Sequence, residues 1–202
     1  IINNRSTFTP ERINNNLQSL PVFYRPEQVA INATSFSPSA AKPALAVASW
    51  QQLGLPLDIR NFEPLTRHQI KLAHDPAFVD ALLDCEISNG FGNRSRAIAA
   101  SLPYTTGSML SAAHEALRNG IGAISPTSGF HHARYAHAAG FCSLNGITIA
   151  AQNLPGVRVG LLGLDQRLAA ARTAPGSPAG GVGGTGFRTP GPSGRPGPSS
   201  CS

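Results

Sequence analysis

The sequence predicts an α/β protein built on a parallel, doubly wound sheet with helices on both faces. Three observations predict it. Short, mostly apolar runs of the buried-strand kind, residues 121–125 and 157–164, flank a helix-like stretch at 144–154. Helix-like and strand-like segments alternate from about residue 43 onward, the order a parallel sheet needs because each crossover takes the length of a helix. With 41% apolar side chains, 202 residues suffice for one such domain and a real core.

Each element has a local reason. Residues 1–20 are polar and asparagine-rich, an irregular arm. Pro43 suits the first turn of a helix over 44–53, where its missing N–H costs nothing, and Gly54 stops that helix. Residues 57–62 are a short extended candidate. Thr66 and Gln69 form a capping box for the next short helix. Asp75 caps and Pro76 opens another, with Phe78, Val79, Leu82 and Leu83 on one face. Residues 88–102, beginning Asn89-Gly90-Phe91-Gly92-Asn93, read as a long loop. Two roles are open to that loop: narrowing access to a site, or pairing subunits into a homo-oligomer. Residues 107–118 are helical, with Met109, Ala113, Ala116 and Leu117 inward and Gly120 as terminator.

The folded part spans 21–166, and 167–202 form a disordered Gly/Pro/Arg-rich tail. Residues 171–202 hold nine glycines and six prolines and no acidic residue. Such a segment has high backbone entropy and almost nothing to bury.

The net charge of +6 divides evenly: residues 1–170 hold all ten acids against thirteen Lys and Arg, and Arg172, Arg188 and Arg195 supply the other +3. These charges form no block or stripe, so the basicity belongs to the tail and points to no direct nucleic-acid partner. No apolar run approaches the roughly 18–20 residues of a membrane span, and the start does not read as a signal peptide. Cys85, Cys142 and Cys201 lack CxxC spacing, which argues against a disulfide scaffold or a thiolate zinc site and favours a reducing, cytoplasmic compartment. The single methionine is Met109, so the sequence is expected not to begin at its own initiator.

Three segments carry possible chemistry, each beside a strand candidate, and ligands of parallel sheets sit at the carboxyl ends of strands. In Ser125-Pro126-Thr127-Ser128-Gly129-Phe130-His131-His132-Ala133, two adjacent histidines supply either a general base with a tuning imidazole or, as spacing alone favours, a solvated or hydrogen-bonded loop pair. In Gly140-Phe141-Cys142-Ser143-Leu144-Asn145-Gly146, Phe141 suits an apolar slot and Cys142 would be nucleophilic only with a depressed pKa; the plainer reading places both in the core. In Leu161-Leu162-Gly163-Leu164-Asp165-Gln166-Arg167, Asp165 ends a strand where a metal ligand belongs. The position two residues on, which points the same way, is Arg167, a permanent cation. His74, beside the cap Asp75, is most simply structural.

Taken together, these segments resemble the zinc-dependent histone deacetylase family, in particular its bacterial histone-deacetylase-like and acetylpolyamine amidohydrolase branch. Weaker support comes from Ser37-Pro38-Ser39 with Lys42-Pro43, from Ala73-His74-Asp75-Pro76 with Val79, and from Asn89-Gly90-Phe91-Gly92-Asn93. The resemblance spans roughly residues 20–166 and implies the N-terminal part of a deacetylase domain, with the arginase–deacetylase fold incomplete at its C-terminus. It implies that His131 and His132 match the tandem active-site histidines, the second a general base and acid, the first an electrostatic tuner. Gly140 and Phe141 match residues lining the tunnel for an acyl-amine side chain, and Asp165 matches the first zinc-ligating aspartate. The implied reaction is Zn²⁺-assisted hydrolysis of an N-acetyl amide, with an acetyl-lysine or acetylpolyamine as substrate.

The departures from the family pattern are specific. Where the family has Asp-x-Asp-x-His, this chain has Gly163, Asp165 and Arg167. The second zinc aspartate and a catalytic tyrosine are expected in a C-terminal half absent from the sequence, and the abrupt change after Asp165-Gln166 predicts a shifted reading frame or a broken gene. The expected product is therefore inactive as written, with a non-catalytic binding module that keeps the acyl-amine slot as the alternative.

Overall fold

The computed structural model describes residues 19–30, 35–127 and 129–160. Strand β1, Leu20–Phe23, pairs in parallel with β2, Leu57–Arg60, in the register Leu20 to Leu57 through Phe23 to Arg60. On the other side of β1, Ile124 makes a parallel bridge to Val22: Phe23 N–H donates to Ile124 O at 2.9 Å and Ile124 N–H to Pro21 O at 2.8 Å. β1 is therefore the inner strand, and Val22 has no solvent exposure.

The helices start and stop where local chemistry directs. Short 3₁₀ turns at Pro26–Gln28 and Pro38–Ala41 lead into α1, Lys42–Gln52, with proline in its first turn; beyond its end lies Gly54, at φ +68°. Helix α2, Arg67–Lys71, has the expected capping box, Thr66 Oγ1 accepting from Gln69 N–H while Gln69 Oε1 accepts from Thr66 N–H. Helix α3, Pro76–Leu83, is capped by Asp75, which accepts from Phe78 N–H at 2.9 Å; it buries Phe78, Val79 and Leu82, leaving Leu83 half-buried. Helix α4 is Arg96–Asn119 and α5 is Gly146–Gln152, the latter capped by Asn145. Ile70, Val79, Leu82, Ile98, Leu144 and Ile149 form the centre of the core these helices enclose. Truncating any one of the larger of these would cost about 2–5 kcal/mol. Among the described residues, no helix is long and apolar enough to cross a membrane.

Four expectations need correction. The loop expected over 88–102 ends at Arg94: Ser95 caps Ile98 N–H, and α4 runs straight through Pro103. Around that proline, Ser101, Thr105 and Thr106 turn their hydroxyls back onto carbonyls of the preceding turn, so these polar residues are buried and satisfied. Second, Leu117 is not inward but 53% exposed, and Ala116 is half-buried. The inward face is set by Gly107, where a Cβ would stand 2.8 Å from Glu63 O, and by Ser108, whose hydroxyl donates to Phe23 O at 2.6 Å. Third, of the strand expected at 121–125 only Ile124 pairs. Fourth, residues 157–160 are exposed and outside any strand; 161–164 lie outside the described residues, as do 1–18 of the arm and the tail from 167.

Glu115, 7% exposed, ties the end of α4 to β2. It accepts from Arg118 and Asn119 and pairs with Arg60 at 2.9 Å. Chiefly through the Arg118 bond, then through Arg60 and Asn119, its carboxyl is held down to about 2.

Candidate active site

Two backbone features meet at the candidate residues. The first is the turn 130–133, closed by Ala133 N–H donating to Phe130 O at 3.3 Å. The Phe130 ring lies on Gly146 at the start of α5, where a Cβ would come within 2.5 Å of the ring; only glycine fits. His131 and His132 project from this turn with ring centroids 4.0 Å apart at 46°. Both are half-buried.

The second is a tight hairpin, closed by Ala139 N–H to Cys142 O at 3.0 Å and Cys142 N–H to Ala139 O at 2.8 Å. Its two tip residues, Gly140 and Phe141, have φ of +54° and +64°, the left-handed pairing that primed hairpin turns require. For Phe141 this conformation costs about 1–2 kcal/mol, so the surroundings must hold it there. They do: Phe141 N–H donates to Gly90 O at 2.8 Å, and its ring meets Phe36 edge-on at 5.2 Å and Phe91 at 5.7 Å.

Gly140 joins the two features. A Cβ there would lie 2.7 Å from Cγ and Cδ2 of His132, so the imidazole sits directly on the glycine. Gly140 thus lies against His132, with Phe141 next to it in the hairpin.

The loop 89–93 supports the hairpin from behind. Asn89 organises it, donating through its N–H to Asn93 O at 2.7 Å and accepting at Oδ1 from Phe91 N–H at 2.9 Å. Gly90 then approaches so closely that a Cβ would lie against the Cys142 backbone, 2.5 Å from its oxygen and 2.7 Å from its nitrogen. Gly90 N–H also donates to Ser143 Oγ at 3.0 Å. Sequence reasoning quoted this loop but gave Gly90, Phe91 and Phe36 no role. The available signal was an aromatic residue set between small loop residues; the contacts themselves lie 50 (Phe91–Phe141) to 105 (Phe36–Phe141) positions apart and leave no local trace.

Behind Phe141 lies a cavity of about 30 Å³, lined by Gln28, Ser101, Thr105 and Ser143 among apolar side chains. That is room for about two water molecules. Cys142 is buried, its Sγ 3.5 Å from Gly140 O, and burial pushes its thiol pKa up. It is a core residue, and the nucleophile reading is set aside.

Of the five candidate residues, the structure brings His131, His132, Gly140 and Phe141 together, while Asp165 lies outside the described residues. Among the described residues, no group of three or more His, Cys, Asp or Glu stands close enough to hold a metal ion. A catalytic zinc takes three protein ligands and a water. Of the positions the resemblance assigns to ligands in this segment, Asp165 keeps its carboxylate but the histidine position is Arg167, a permanent cation that cannot ligate, so the residues present do not fit the metal.

Comparison with known proteins gives the family and the fold. The histone deacetylase domain family matches residues 37–165, a span that contains all five candidate residues. No curated protein matches the chain. Among solved structures, the HDA15 HD domain superposes with a TM-score of 0.55 at 18% identity, over 66% of this chain and 42% of that one. An acetylpolyamine aminohydrolase from Burkholderia pseudomallei superposes with a TM-score of 0.50 at 23% identity, over 67% and 52%. The chain thus spans about half the length of these structures or less, and the likeness speaks for the α/β arginase–deacetylase fold. With most of its length matched, the chain belongs to the histone deacetylase family.

Proposed function

We propose that the junction of these two features is an acyl-amine site inherited from amidohydrolases of N-acetyl amines, and that this chain binds such a group without hydrolysing it. The observation that carries this reading is the seat of His132 on Gly140 with Phe141 alongside. It sets a titratable pair against an apolar aromatic surface, the combination an N-acetylated alkylamine calls for. The alkyl stem packs on Phe141, Phe91 and Phe36, and the amide end meets the imidazoles. In the ancestral reaction His132 is the general base for the attacking water, and His131 tunes it through the close ring contact.

The loss of turnover follows from the donor set. Zn²⁺ would supply carbonyl polarisation and an acidified water, but one carboxylate, Asp165, flanked by Gly163 and Arg167, does not make a site for it. No step is therefore assigned to a metal here. Acetyl-lysine in a protein and an acetylated polyamine both fit a site of this kind. The basic charges outside the tail form no stripe for nucleic acid.

The test is acetate release from an acetyl-lysine peptide and from a monoacetylated diamine, with added Zn²⁺ and the full chain. The expected result is no release above buffer. Turnover that disappears with chelator and with His132→Ala would restore the enzyme reading and overturn the proposal.

A further inference from the structure

His74 immediately precedes α3 and is 1% exposed. Its ring nitrogens reach two segments distant in sequence: Nδ1 is 3.0 Å from Tyr135 O, and Nε2 is 2.9 Å from the backbone nitrogen of Asn145. A backbone N–H can only donate, so Nε2 carries no proton. Nδ1 therefore holds the proton and donates it to Tyr135 O. Asp75 N–H donates to that same carbonyl at 3.0 Å.

These bonds clip both ends of one loop. Between Tyr135 and Asn145 lie Gly140 and Phe141, and just ahead of it lies His132. Asn145 closes the loop on itself by donating through Nδ2 to Ala133 O at 3.2 Å, while its Oδ1 caps α5. We propose that His74 is a positioning residue that holds the loop bearing His132, Gly140 and Phe141 only while its ring is neutral, so that the site loosens on acidification ahead of the rest of the fold. The functional consequence rests on the acyl-amine reading of the site; the clip itself does not.

The chemistry is directional. A proton on Nε2 would turn an acceptor into a donor facing the Asn145 N–H, replacing a bond with a repulsion in a buried site. The surroundings offer the cation little compensation. Asp75 is engaged in capping Phe78 N–H, and the Phe78 ring packs at 5.8 Å. Asp80 on α3 is held by Arg67 and Lys71, and Asp84 just past its end by Arg67, at the exposed side. The loop contributes exposed Arg134, Tyr135 and His137 and buried Cys142, and α5 brings no ionisable side chain. Burial accordingly lowers the His74 pKa from its ordinary 6.5. The sign follows: the unfolded or detached loop binds the proton more readily, so the clip is at full strength above about pH 6.5 and weakens as pH falls.

The test is amide hydrogen exchange on the full chain, corrected for intrinsic pH dependence, with ¹⁵N detection of the His74 ring. The expected result is a neutral Nδ1–H tautomer at pH 7.5. Below pH 6.5, protection at Asn145 and Phe141 should fall at least about tenfold, in step with His74 titration, while amides of α4 hold. His74→Gln, if it folds, should lose that pH dependence. An Nε2–H tautomer, or loop protection indifferent to the state of His74, would overturn the proposal, and the wild-type titration decides this without any variant. Binding of N-acetyl-lysine amide, followed in parallel, separates the two readings. Loop release without binding at any pH would sink the acyl-amine reading alone, and binding with pH-indifferent protection would sink the clip alone.

Discussion

The two halves of the candidate site are held in place by different means. The histidine half, residues 130–133, is wedged by side-chain rings: Phe130 rests on Gly146 and His132 rests on Gly140. The hairpin half, residues 139–142, is held through its main chain, by the Phe141 N–H bond to Gly90 O and by contact between the Gly90 and Cys142 backbones. A ring can tilt to relieve a contact, whereas two peptide backbones in contact have no such freedom. The hairpin is thus the fixed reference of the site, and the imidazoles are the adjustable part. That division suits a site in which a titratable group must find its ligand against an apolar surface already in position.

The largest expected effect comes from breaking the fixed half. Gly90→Ala drives a methyl into the Cys142 backbone and should destabilise the chain by about 3 kcal/mol or more in denaturant unfolding. A loss below about 1 kcal/mol would show that the hairpin yields and would erase the contrast between the halves. Gly140→Ala should cost less, about 1–3 kcal/mol, because part of the clash is relieved by moving the His132 ring, although φ of +54° adds strain. It should shift the His132 ring resonances while leaving the amides of 89–93 in place; the reverse pattern would contradict the assignment of which half moves.

The Glu115 network, in the last turns of α4, is the control and the smallest effect. Its carboxyl is held below its ordinary 4.5, near 2, so the unfolded chain binds the proton more readily. Its stabilisation is complete above about pH 4.5 and fades as pH falls toward 2. Glu115→Gln should flatten the stability profile in that window and leave the resonances of the candidate site unmoved.

Much of this was legible in the residues. Thr66 with Gln69, Asp75 with Pro76, and Gly120 mark helix ends through bonds made within four positions, and each appears where the sequence places it. The tandem histidines and the Gly140-Phe141 pair likewise stand together in the chain and in the site. The first half of α4 was hidden because residues 96–102 follow the Asn89-Gly90-Phe91-Gly92-Asn93 stretch and read with it as one loop. The helix is held there by packing, with Gly107 close against residues 62–65 and the buried hydroxyls satisfied on carbonyls of the preceding turn, which no local pattern announces. Leu117 misled because the face of α4 that buries Ile98, Leu102 and Leu110, with Gly107 and Ser108 beside them, leaves Leu117 turned to solvent. Gly90 and His74 escaped assignment because their partners lie 53 and 71 residues away.

The central claim is that the candidate site accepts an acyl amine between the imidazoles and the Phe141 ring. The most direct measurement is an NMR titration of the full chain with N-acetyl-lysine amide, following His131, His132, Gly140 and Phe141. The account predicts saturable shifts confined to these residues and their neighbours Phe36 and Phe91, lost in Phe141→Ala. Shifts absent at millimolar ligand, or spread over surfaces away from the site, would contradict it.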